Sequence, residues 1–147
     1  MAHPQSITVK EVCDLAEDWF HGVASGEPGG SIARLFRYPD ARIHVPDGQG
    51  FSLEDHRLLH KQWTAEKHLL GEFHLTTVSD APPRVKAVGT VYWEARYSEA
   101  PSSGPGLIKA VVGEDWIIER RSDGKLCYVL YVNSFFHLLP DSAQVLL

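Results

Sequence analysis

Apolar residues recur at three- and four-residue steps from Thr8 onward, at Val9, Val12, Ala16, Trp19 and Val23, the spacing that sets side chains on one face of a helix. Gly26 is the natural stop, because glycine accepts the left-handed backbone that closes a helix. After Pro28-Gly29-Gly30, Ser31 can cap a short second helix with Ile32, Leu35 and Phe36 on its apolar face, ended by Pro39. A short strand, Ala41 to Val45, runs into the turn Pro46-Asp47-Gly48. Ser52 followed three residues later by Asp55 reads as a capping box with a shorter acid. It opens a third helix through about His68 that packs Leu59 and Trp63. The rest alternates with period two, over Phe73 to Val78, Val85 to Tyr97, Leu107 to Arg120 and Leu126 to Asn133. Pro82-Pro83, the stretch Pro101 to Gly106, and Asp123-Gly124 separate these runs, and the last is a tight-hairpin signal. Three helices followed by an antiparallel meander predict an α+β fold with segregated layers.

Composition narrows the class. A chain of 147 residues, 44% hydrophobic, fits a single domain spanning 1–147. Its net charge of -5 comes from interleaved acidic and basic residues, with no basic run to neutralise a string of phosphates, so nucleic acid is not an expected partner. Cys13 and Cys127 form neither a C-x-x-C pair nor a disulfide framework, which points to a reducing cytoplasm. No basic start and apolar run marks a signal peptide, and no stretch approaches the ~20 apolar residues that span a bilayer, so no membrane partner is expected.

Gly26-Glu27, Leu35-Phe36, Ala41-Arg-Ile-His-Val-Pro46 and the late Asp123-Gly-Lys hairpin together resemble the nuclear transport factor 2-like superfamily, which includes SnoaL-like polyketide cyclases and ketosteroid isomerases. The resemblance covers nearly the whole chain in order of elements. It implies a cone-shaped barrel, in which three N-terminal helices pack on a curved antiparallel sheet around an apolar pocket, frequently as a homodimer. The catalytic residues of a ketosteroid isomerase are not carried over. Its general base falls on Val45, before Pro46, and its tyrosine on Trp19. Its protonated aspartate falls on Trp116 when counted back from Lys125 without a gap, or on Asp115 with a one-residue longer turn. The ungapped alignment suits the apolar face of Ala110, Val112, Trp116 and Ile118 better.

Strand parity then gives a pocket lining. Val85, Ala87, Gly89, Val91, Trp93 and Ala95 form one apolar face, so Trp93 is expected to point inward. By the resemblance, Val129, Tyr131 and Asn133 face the pocket from the last strand. The expected ligand-binding residues are Trp19, Val45, Trp63, Trp93, Trp116, Tyr131 and Asn133, with Tyr131 and Asn133 as the polar groups. His56 and His60, one helical turn apart, could bind metal or act as a base. Lacking the Glu of His-Glu-x-x-His and a third ligand, they are read as flanking Leu59 and Trp63 at the pocket rim or surface, and no metal or other cofactor is expected. Glu114 shares the face of Trp116 and, if buried, is the strongest acid or base candidate. His44 is expected to face away from the pocket, and Asp47 to serve its turn. The expected function is binding of a small hydrophobic or aromatic molecule with catalysis undetermined; the alternative is an isomerase, cyclase, dehydratase or hydrolase acting on such a substrate. Leu126, Tyr128, Leu130 and Val132, with Tyr92, Val111 and Ile117, are expected to form the outer-face patch of a homodimer.

Overall fold

The structure is a computed structural model that describes residues 6–28, 32–99 and 106–145. Helix α1 spans Val9–Ser25. Thr8 and Glu11 cap its start reciprocally, and Gly26, at φ 71°, ends it. Its buried face is Val12, Leu15, Ala16, Trp19, Phe20 and Val23, while Val9 is exposed. The expected cap Ser31 lies outside the described residues; Ile32 is helical, and a 3-10 turn, Ala33–Leu35, follows it. Strands β1 (Arg42–His44) and β2 (Gly50–Ser52) pair antiparallel and lead into α2, Leu53–His60. Ser52 caps α2 by accepting the Asp55 N–H at 3.0 Å, as the sequence pattern requires. The described residues therefore hold two α-helices, the helical Ile32 and a 3-10 turn where three helices were expected.

The helix expected to reach His68 stops at His60, and Trp63 opens β3, which runs to Asp80. Ala65, Glu66 and Lys67 favour a helix individually, but pairing with β4 (Pro83–Tyr97) along nearly the whole segment overrides that preference. β5 (Leu107–Arg120) and β6 (Leu126–Leu138) complete the meander, and Asp123-Gly124 makes the expected turn with Gly124 at φ 86°. The sheet order is β2-β1-β6-β5-β4-β3. It is mixed rather than wholly antiparallel, because β1 lies parallel to β6, with Ile43 opposite Tyr131. This pairing carries Val45, just beyond β1, to the inner face, where it is buried.

Parity is as expected in β4 and β5, where Val85, Ala87, Val91, Trp93 and Ala95 and then Ile108, Ala110, Val112, Trp116 and Ile118 are buried. Gly89 lies in the same row. A side chain there would meet the Phe73 ring at 2.6 Å, so Phe73 takes the space and stacks on Trp116. In β6 the parity changes twice, the later time at Ser134, the extra residue between Asn133↔Glu114 and Phe135↔Gly113, and the earlier time at Val129. The register passes from Ile118↔Tyr128 to Ile117↔Leu130, so Val129 is an extra, bulged residue. Tyr128, expected on the outer face, is consequently fully buried in the core, and Val129 is not part of the inner row. Tyr131 and Asn133, beyond the bulge, point inward as expected. Among the described residues no helix is long and apolar enough to cross a membrane.

Candidate functional site

α1, α2 and the inner face of the sheet border a partly open cavity of about 60 Å³. Trp19, Val45, Trp63, Trp93, Tyr131 and Asn133 all border it, as do His56, His60 and Glu114. Trp116 does not. It is fully buried between Phe73 and Tyr128, with ring centroids at 4.8 and 5.4 Å, and forms the layer beneath the floor. Phe20 and His68 also border the cavity, and the sequence pattern marks neither of them as a site residue. A helix ending at His68 hides its role; within β3 it alternates inward with Glu66.

The floor is a polar cluster around Glu114, which is 2% exposed. Its Oε2 accepts the Trp116 Nε1–H and the Asn133 Nδ2–H, each at 2.9 Å. Trp19 Nε1–H donates to the Tyr131 hydroxyl at 3.0 Å, and that hydroxyl also contacts the Glu114 carboxyl. Burial pushes the Glu114 carboxyl well above its ordinary value, against the opposing pull of its hydrogen bonds from Trp116, Asn133 and Tyr131. The neutral acid carries its proton on Oε1, because Oε2 already receives two N–H groups. Two hydroxyl protons then exist, on Glu114 and Tyr131, and the single contact between these groups uses one. Both groups border the cavity.

Three imidazoles border the same cavity. His56 and His60 sit on one face of α2 with ring centroids 4.3 Å apart; His56 stacks on Trp19 and His60 lies edge-on to Trp63. His68 stacks on Phe20 at 4.2 Å. Burial drives all three towards the uncharged form. It pushes His60 down to about 3 and His68 down to about 4, and holds His56 well below its ordinary value, with the neighbouring His60 adding to the effect. Behind His60 lies Glu66, outside the cavity wall, with a side chain only 2% exposed. Ala65, at φ 52°, sits in the register skip between Thr64 and Lys67, and this bulge turns Glu66 to the inner face. Burial pushes Glu66 up to about 7, partly offset by His68 and by the Trp93 hydrogen bond. Among the described residues no three His, Cys, Asp or Glu side chains are grouped to hold a metal ion.

No family model matches the sequence, and no curated protein matches it. Solved structures do. An NTF2-like protein from Cytophaga hutchinsonii superposes with a TM-score of 0.62 at 9% identity, over 90% of this chain and 100% of that one. A candidate scytalone dehydratase from Novosphingobium aromaticivorans gives 0.66 at 13% identity, covering 92% and 87%. A hexachlorocyclohexane dehydrochlorinase from Novosphingobium barchaimii gives 0.64 at 23% identity, covering 92% of each chain. The chain has the NTF2-like α+β fold, in agreement with the resemblance in its sequence.

Proposed function

We propose that the protein binds a small apolar ring compound in this cavity and moves a proton on it by general acid–base catalysis, as a lyase that eliminates water or halide. The observation that supports this is that buried imidazoles on α2 and β3, held towards the uncharged form, border one cavity with a buried carboxyl on β5 held towards the neutral acid, among aromatic side chains. An imidazole nitrogen takes the proton from the carbon next to the leaving group, and the C–H electron pair becomes the new double bond. A departing hydroxyl takes the proton offered by the Glu114–Tyr131 pair and leaves as water; a departing halide leaves as an anion hydrogen-bonded to the same donor. Two solved structures of this fold bear names of elimination enzymes, a dehydratase and a dehydrochlorinase, which agrees with the reading.

The experiment is a panel of cyclic alcohols and chlorinated cyclohexanes assayed for alkene or chloride release. Turnover is expected with at least one member, and Glu114→Gln is expected to lower kcat by about 10²- to 10⁴-fold while the substrate still binds. A substrate turned over equally well by Glu114→Gln rules out the assigned acid. One observation favours a second reading. At about 60 Å³ the cavity is smaller than the roughly 150 Å³ void that admits benzene, so a ring must displace part of the wall. A cone filled by its own side chains, acting only as a binding or pairing module, would show no saturable uptake of any member of the panel.

A further inference from the structure

Glu66 determines which nitrogen His60 presents to the cavity. His60 Nδ1 lies 2.8 and 3.0 Å from the two Glu66 oxygens, and Trp93 Nε1–H donates to Oε1 at 3.0 Å. His60 borders the cavity and Glu66 does not, so Nδ1 is committed to Glu66 and Nε2 is the nitrogen left to a ligand. Proton counting across this contact then fixes the chemistry. With two protons, the pair is either a carboxylic acid donating to Nδ1 beside an Nε2–H, or a carboxylate beside a doubly protonated ring. Nε2 carries a hydrogen in both. With one proton, the carboxylate can only accept, so the proton sits on Nδ1 and Nε2 offers a bare lone pair.

We propose that His60 and Glu66 act as one unit, in which loss of a single proton converts Nε2 from a hydrogen-bond donor into the general base, with Glu66 as its positioning residue. Assigning the base to His60 rests on the elimination reading above; the proton switch does not. Burial supports the uncharged form of the two-proton pair, because it holds His60 down to about 3, and the rise of Glu66 to about 7 brings the conversion near neutral pH. Of the other titratable groups that border the cavity, burial holds His56 on α2 and His68 on β3 towards the neutral form and Glu114 and Tyr131 towards the protonated form, while α1 contributes only Trp19, Phe20 and Val23.

Imidazole ¹⁵N NMR of the ligand-free protein, with His60 assigned by comparison with His60→Gln, tests the switch from about pH 5.5 to about 8.5. The wild-type Nε2 is expected to move from the protonated to the bare position with one midpoint near neutrality, and to stay in one state throughout in Glu66→Gln. Should Glu66→Gln fail to fold, Trp93→Phe serves instead: losing the N–H that favours the carboxylate is expected to move the midpoint to higher pH. An Nε2 that keeps its proton over the whole range, a Glu66→Gln protein that still titrates, or a midpoint unmoved by Trp93→Phe each overturns the proposal. A protein that switches yet turns over no member of the panel refutes the elimination reading and leaves the switch standing.

Discussion

A glutamate with a 2% exposed side chain is a burden in its charged form, and Glu114 escapes it by keeping its proton. The effect on stability comes from linkage. The unfolded chain releases the Glu114 proton at an ordinary carboxyl value, whereas the native state holds it to a higher one. Over that window the native state binds more protons, so stability falls as pH rises. Glu66 acts in the same sense up to about 7. The three histidines act oppositely: unfolded, they take protons below about 6.5, which their buried native forms refuse, so stability falls as pH falls. Three groups opposing two give the cavity residues a combined optimum at about pH 6 to 6.5. Glu114→Gln is expected to gain on wild type by about 1.4 kcal/mol per pH unit above the ordinary carboxyl value, up to the native one. Urea unfolding at a series of pH values checks both slopes; a variant that tracks wild type at every pH would mean that Glu114 is charged in the native protein. Glu114 is legible in the sequence as the one polar residue on an apolar strand face. Glu66 is not, because its inward turn depends on a bulge that no spacing rule marks.

That bulge is a property of an element, and the elements divide cleanly into those that local sequence determines and those that pairing determines. α1 is readable from end to end, since Thr8, Glu11 and Gly26 place its caps and its apolar stripe needs no partner to be recognised. β5 and the Asp123-Gly124 turn are equally plain. β3 is not, because Leu59 and Trp63 are spaced as on a helix and the residues after them are helix formers, while the strand is held by its register with β4. Likewise the bulge at Val129 reassigns Tyr128 to the core, and it comes from how β6 matches β5 rather than from any residue preference in β6. The β3 bulge has a testable cost, since Ala65 occupies left-handed backbone without being glycine. Ala65→Gly is expected to be tolerated. Ala65→Val, which is β-branched, is expected to destabilise by about 1–2 kcal/mol and to loosen the His60–Glu66 contact. Thermal melts of the two variants give the comparison, and a valine variant as stable as the glycine one would show that the bulge is not held in that conformation.

At the scale of the whole molecule, the inner face of the sheet is covered by α1, α2 and the core, and the outer face is covered by none of these. Leu69, Val88, Leu130 and Phe135 remain 63%, 43%, 40% and 45% exposed on β3, β4 and β6. Tyr92 and Val111 lie in the row of Leu69, and Ile117 is paired with Leu130. The outer patch therefore differs from the one expected from the sequence, losing Leu126 and Tyr128 to the core side of the sheet and gaining Phe135, whose ring covers Gly113. Charges are interleaved with it, including the Lys86–Asp115 pair at 3.6 Å and the Lys67–Glu94 pair at 3.8 Å. An apolar area flanked by such charges suits a self-complementary contact, because a two-fold axis can set each lysine near the partner copy's acid. Burying about 800 Å² per copy, the usual size of a stable interface, is worth several kcal/mol even after association costs. The protein is therefore expected to sediment at twice its chain mass of 16.4 kDa at micromolar concentration. Val88→Lys combined with Leu130→Lys is expected to yield a folded monomer, because both side chains already face water and the substitutions leave the core untouched. A wild-type monomer under those conditions, or a double variant that still sediments as a dimer, would show that this face does not join two copies.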